Sequence, residues 1–245
     1  MLLIFLVMAS GAAAYAVYSG TPLPLIDSGL AAVVIGMILL SYLQNYFEVR
    51  GLAAKDLSYR EPFVGLQPIL ASSIAFLLFP GERELKYILG ILAGAAILYI
   101  GNREKRTGFK LDKGTAYILL ALLFDALVVN SYKFGLQGMP PEWLFLFRTA
   151  GVLLLTAVSS GVSIGKMEKK AVATGIAAGA FYLVGSLAYL YSIQSFGLTF
   201  TIMLLMVQPG LVYIASSVVL KEKIPLRRIV TSLLLVALVV AVIVA

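Results

Sequence analysis

Long apolar stretches separated by short polar clusters run the length of the chain. Nine are readable, at about 2–19, 28–48, 62–80, 86–102, 115–136, 142–162, 171–193, 197–220 and 226–245. A helix that spans a bilayer needs roughly 20 apolar residues, and these stretches supply them. Turn-forming groups punctuate the pattern: Gly20-Thr21-Pro22-Leu23-Pro24, Pro80-Gly81, Gly138-Met139-Pro140-Pro141 and Ile224-Pro225. In lipid a backbone must satisfy its own hydrogen bonds, which only helices and closed barrels do. These segments are too long and too uniformly apolar for barrel strands. The pattern predicts an all-α integral membrane protein of about nine transmembrane helices.

Composition narrows the picture. Of the 245 residues, 61% are hydrophobic and 13% charged, against about 25% charged in a soluble domain. No polar segment is long enough for a separate soluble domain. Histidine and cysteine are both absent, so there is no disulfide framework, no Cys/His metal site and no histidine base. No cofactor is expected. The net charge of +7 belongs to basic residues that flank spans, not to nucleic-acid binding. Met1–Met8 is apolar with no basic leader region and reads as the start of the first span.

The basic residues also orient the chain. The connections alternate between two sides. One side holds Arg50, Lys55 and Arg60; Arg103, Lys105, Arg106, Lys110 and Lys113; Lys166, Lys169 and Lys170; and Lys221, Lys223, Arg227 and Arg228. The other holds Arg83, Lys86 and Lys133, with Arg148 inside a span near that end. This bias puts the N-terminus in the cytoplasm and the C-terminus outside, in the inner (plasma) membrane.

The chain also repeats itself. Gly65-Leu66-Gln67-Pro68 opens a helix that leads to Pro80-Gly81-Glu82-Arg83-Glu84 and a further helix. Met206-Val207-Gln208-Pro209 opens one that leads to Leu220-Lys221-Glu222-Lys223 and a further helix. From Gln to the first loop Glu is 15 residues in one copy and 14 in the other. Upstream, Arg50-Gly51-Leu52 matches Phe196-Gly197-Leu198. The copies span 1–107, with four helices, and 108–245, with five. Equivalent loops fall on opposite sides, as an inverted repeat requires. The helix at 115–136 has no partner in the first copy: either the protein lacks a first helix or the sequence starts one helix late.

Four local patterns, in order and partly doubled, resemble the drug/metabolite transporter (DMT) superfamily in its EamA-type branch. They are Asn130-Ser131-Tyr132-Lys133-Phe134-Gly135, Phe145-Leu146-Phe147-Arg148-Thr149-Ala150-Gly151, the two Gln-Pro helices with their Gly-Glu or Lys-Glu loops, and Gly90-Ile91-Leu92-Ala93-Gly94. Together they cover nearly the whole chain. The resemblance implies ten helices in two inverted five-helix repeats around a central cavity, working by alternating access. The sequence departs from it in the absent first helix. Its charge bias also sets the Gly81-Glu82 loop outside, opposite to the orientation the resemblance implies.

Several residues are candidates for function. Asp125 sits mid-span, where a charge costs roughly 2.5–3.5 kcal/mol. It is an ion-coupling carboxylate, a ligand for a substrate cation, or a buried acid paired with Arg148 or Lys133. Ser41, Gln44 and Glu48 share one helix face, with Tyr42 and Asn45 beside it. Gln44 and Asn45 lie deeper in the span and are candidates for solute contact, and Glu48 either reaches a cavity or marks the interface beside Arg50. Tyr182, Ser186 and Tyr189 make a second polar stripe, facing a solute or a neighbouring helix. Gln67 and Gln208 each stand beside a proline that bends its helix, a place for gating, solute contact or kinked packing. Arg148 either snorkels, pairs with Asp125 or Glu142, or receives an anionic group. Gly90 with Gly94 and Gly175 with Gly179 are small-residue motifs for close helix packing or dimerisation.

The leading functional expectation is a secondary transporter, an exporter of a small polar or amphipathic metabolite such as an amino acid or drug-like compound. It works by alternating access with its site between the repeats. No Walker pattern makes it an ATPase, and no H-E-x-x-H or paired-carboxylate motif makes it an enzyme. The alternative is a lipid-handling or accessory subunit that needs a partner chain, or a homodimer, to complete the short repeat.

Overall fold

The computed structural model describes residues 1–54, 66–102, 112–160, 169–208, 211 and 226–244. Nine α-helices lie among the described residues: α1 Leu2–Tyr18, α2 Ser28–Ala54, α3 Leu66–Leu78, α4 Leu85–Asn102, α5 Lys113–Gly135, α6 Pro141–Ser160, α7 Lys169–Phe196, α8 Leu198–Leu205 and α9 Leu226–Val244. A single 3-10 turn, Pro80–Glu82, joins α3 to α4. No strand is present among these residues. Five helices, α2, α5, α6, α7 and α9, are long and apolar enough to cross a membrane, and α1, α3 and α4 are shorter apolar helices. The protein is an all-α, multi-pass membrane protein, as the hydropathy pattern predicts.

The helix boundaries follow from local chemistry. Asp27 caps α2 by accepting the Leu30 N–H at 2.7 Å. Asp112 caps α5 by accepting the N–H and the hydroxyl of Thr115, each at 3.0 Å. Both serve first-turn N–H groups that have no partner inside the helix. Pro141 opens α6, where a missing N–H costs nothing and the fixed φ suits a helix. Large apolar side chains such as Phe181, Val184, Leu233 and Val244 are exposed. On a membrane helix that is the lipid-facing surface, not a defect.

The chain divides into two compact units that draw on both halves of the sequence. Unit 1 comprises Met1–Leu43 and Val128–Ser195. Its core is α1 against α6, with Met8, Ala12 and Ala16 of α1 buried at four-residue spacing. α7 meets α1 through its glycines. A Cβ on Gly175 would lie 2.8 Å from a methyl of Leu3. One on Gly179 would lie 2.8 Å from Val7 Cβ and 3.1 Å from the Ile4 carbonyl oxygen. Neither the Val7 Cβ nor the Ile4 backbone can swing aside. Gly179→Leu is therefore expected to destabilise the protein by about 1–3 kcal/mol, the range for overpacking, read as a lower melting temperature in detergent. A melting temperature equal to wild type would mean that α1 and α7 do not approach this closely.

Unit 2 comprises Gln44–Leu127 and Phe196–Ala245. Here α4 packs on α9, α3 and α8. Gly90 and Gly94 of α4 face Val242 and Leu238 of α9 and the methionines Met203 and Met206. Both glycine motifs thus pack on helices of this same chain. Phe47 of α2 stacks on Tyr117 and Phe124 of α5, with ring centroids 5.9 and 5.6 Å apart.

The proline bend expected at Gln67-Pro68 depends on residues 62–65, and its counterpart on Pro209; both lie outside the described residues. So do the loop basic residues Lys55, Arg60, Arg103, Lys105, Arg106, Lys110, Lys166, Lys221 and Lys223.

Candidate functional site

The polar interior of unit 1 is organised around Arg148. α6 starts at Pro141 and carries Arg148 about two turns into a mostly apolar helix. A guanidinium there needs partners, and two helices provide them. Nε donates to Ser41 Oγ of α2 at 2.9 Å, and Ser41 is fully buried. The guanidinium carbon stands 5.4 Å from the centroid of the Tyr132 ring of α5, a cation–π contact of about 0.5–2 kcal/mol. Tyr132 is buried and meets Tyr189 of α7 edge-on, with centroids 6.1 Å apart.

Ser41 and Tyr132 hold the guanidinium from its Nε edge and one ring face. Neither Nη group hydrogen-bonds to a described residue. Arginine offers five N–H donors in a rigid fork that matches a carboxylate or phosphate. The fork is positioned, and its outer donors are unused among the described residues. Glu142, one of the expected partners of Arg148, goes elsewhere: its carboxylate accepts the hydroxyls of Tyr191 and Thr21.

Unit 2 contains the other polar group. Gln44 Nε2 donates to Glu48 Oε2 at 3.0 Å, and Asn45 Nδ2 to Gln44 Oε1 at 3.4 Å. All three are half-buried. Asp125 is half-buried beside Phe124, whose ring covers Phe47. Glu82, in the Gly81-Glu82 loop, is buried and has a structural task. Its two oxygens accept the N–H groups of Leu198 and Thr199, at 2.9 and 2.8 Å, and so cap α8.

An apolar surface groove of about 450 Å³ runs between α4 and α9, lined by Ile97, Gly101, Leu226, Val230 and others. None of the candidate site residues lines it.

The family profile described as the EamA-like transporter family matches residues 112–244, more than half the chain. The chain belongs to the EamA-like transporter family. No curated protein matches it. As an EamA-like transporter, part of the DMT superfamily, it is a membrane transporter of the DMT type. The match runs from α5 to α9 and includes Tyr132, Glu142, Arg148 and Tyr189; Ser41 lies outside it.

In this EamA-like transporter the candidate residues separate into distinct places. Arg148 and Tyr189 share the unit 1 cluster through Tyr132. Ser186 is half-buried one turn before Tyr189, whereas Tyr182 is 61% exposed. Gln44, Asn45, Glu48 and Asp125 belong to unit 2. Gln67 is half-buried in the first turn of α3, and Gln208 is exposed beyond the end of α8. Lys133 is half-buried in the last turn of α5, where a cation complements the helix dipole.

Tyr132, Tyr191 and Thr21 were not singled out by spacing. A tyrosine in an apolar helix is an ordinary core residue. Only the cation lying over the Tyr132 ring and the carboxylate at Tyr191 mark them.

Proposed function

We propose that the protein is a secondary transporter that exports a small polar or amphipathic metabolite bearing a carboxylate, such as an amino acid, across the inner (plasma) membrane. The N-terminus lies in the cytoplasm and the C-terminus outside. Transport proceeds by alternating access of the two sequence repeats. The carboxylate is received by Arg148, and Tyr189 and Ser186 flank an amphipathic or aromatic body. Gln44, Asn45, Gln67 and Gln208 contribute amide contacts along the route. Asp125, mid-span, serves ion coupling.

One observation carries this reading: the Arg148 guanidinium is held by Ser41 and by the Tyr132 ring, and neither Nη group bonds to a described residue. Arg148 is half-buried, and a fork with no protein acceptor among the described residues is open to a carboxylate of the solute. Charge-assisted bonds to a carboxylate are shorter and stronger than neutral ones.

The test is a solute screen by thermal stabilisation of the purified protein, using amino acids and their methyl esters. Free carboxylates are expected to raise the melting temperature, their esters not, and Arg148→Gln is expected to abolish the effect. Equal stabilisation by acids and esters, or an undiminished effect in Arg148→Gln, would remove Arg148 from the solute site.

A further inference from the structure

A second buried charge in unit 1 takes no part in the arginine cluster. Glu142, the second residue of α6, is only 4% exposed. Its Oε1 accepts the Tyr191 hydroxyl from α7 and, at 3.3 Å, the Thr21 hydroxyl from the α1–α2 connection. Thr21 is itself anchored. Its hydroxyl lies 2.7 Å from Ser19 Oγ, and its carbonyl accepts Trp143 Nε1 at 3.2 Å. The other carboxylate oxygen, Oε2, is buried and has no hydrogen-bond partner among the described residues. The titratable groups that face Glu142 are Tyr191 from α7 and, beside it, Tyr15 from α1. Among the described residues no lysine or arginine pairs with it.

An ionised carboxylate has about four lone-pair sites. Here two donors serve one oxygen and none serves the other. The start of α6 favours negative charge, but no backbone N–H reaches Oε2. Buried acceptors are normally filled by a donor, a water or an ion, and a buried charge needs an opposite one. The carboxylate oxygen itself, and the hydroxyls that bond to its other oxygen, are oxygen donors of the kind a hard cation takes. A single carboxylate supplies a single negative charge, and no cluster of three acidic side chains is present among the described residues. Both features suit a monovalent ion.

We propose that Glu142 is the anionic ligand of a site for one small monovalent cation, a proton or a sodium ion, taken up on Oε2. A proton forms one O–H bond there; sodium coordinates the same oxygen. In either case Tyr191 and Thr21 hold the carboxylate by its other oxygen. Cation binding requires no transported solute, so the proposal stands or falls separately from the assignment of Arg148.

Trp143 is the only tryptophan in the chain, and it adjoins Glu142 while bonding to Thr21. Its emission in purified protein reports on the site. Two titrations separate the ions: sodium against choline at constant pH and ionic strength, and pH in choline. A saturable emission change is expected in one of them, absent in Glu142→Gln and retained in the exposed control Glu84→Gln. A sodium response identifies the alkali ion; a response to pH alone identifies the proton. Tyr191→Phe removes a donor to the carboxylate and should move the midpoint about tenfold, the usual value of a hydrogen bond to a charged group. This variant carries the test if Glu142→Gln fails to fold. Silence of the wild type in both titrations, an undiminished response in Glu142→Gln, or an unmoved midpoint in Tyr191→Phe overturns the proposal.

Discussion

Replacing Arg148 by alanine is expected to lower transport of a carboxylate-bearing solute by about 10- to 100-fold. The magnitude is that of a lost hydrogen bond to a charged group, about 1.5–3 kcal/mol. Folding is expected to survive, because α6 keeps its packing on α1 and a half-buried guanidinium is replaced by a neutral side chain. Arg148→Lys is the sharper comparison. It keeps the charge but loses the planar fork, the Nε bond to Ser41 and the flat face over Tyr132. Its transport should fall between wild type and alanine. Initial rates in proteoliposomes, normalised to reconstituted protein, give the ranking. A lysine variant as active as wild type, with alanine less than about twofold down, would show that Arg148 contributes neither charge nor shape.

The largest stability effect is expected at Glu82. α8 begins directly after Gly197, whose φ of +91° turns the chain in a way that favours glycine. Its first N–H groups have no partner within the helix. Glu82 supplies acceptors for two of them, and its own carbonyl accepts the Thr199 hydroxyl at 3.2 Å. Glu82→Ala strips two bonds to a charged acceptor at a buried helix end, a loss of about 3–5 kcal/mol. Glu82→Gln keeps one acceptor oxygen and should lose about half as much. Unfolding midpoints in mixed micelles measure both. A glutamine variant less stable than the alanine variant would contradict the capping account.

The helices were legible in the sequence because the bilayer leaves a backbone few options. The expected span 115–136 is observed as Lys113–Gly135, and 2–19 as Leu2–Tyr18. The apolar run and its breakers set those limits. What the sequence could not reveal is where polar side chains find partners. Ser41 and Arg148 are 107 positions apart, and Glu82 and Leu198 are 116 apart. Charge complementarity suggested Glu142 for Arg148, yet a serine and an aromatic ring hold it. Glu82 was visible only as part of a loop motif; its capping role depends on Gly197 bringing α8 to it. The stripe Tyr182, Ser186, Tyr189 is real in its spacing. Spacing alone does not show that Tyr182 is exposed while Tyr189 meets Tyr132.

The grouping of Arg148, Tyr132 and Tyr189 also joins two of the stretches whose sequence resembles the family. Asn130–Gly135 brings Tyr132 to the cation, and Phe145–Gly151 brings the cation itself. Each motif alone is a common stretch of membrane helix. Their meaning lies in the contact between them.

The most direct test of that contact is uptake of a panel of radiolabelled amino acids into proteoliposomes, with protein-free liposomes and the Arg148→Ala protein run beside the wild type. Accumulation of at least one amino acid above the protein-free level, reduced about tenfold or more in Arg148→Ala, is the result predicted. Accumulation that is the same in wild type and Arg148→Ala for every solute carried, or that never exceeds the protein-free level, would contradict it.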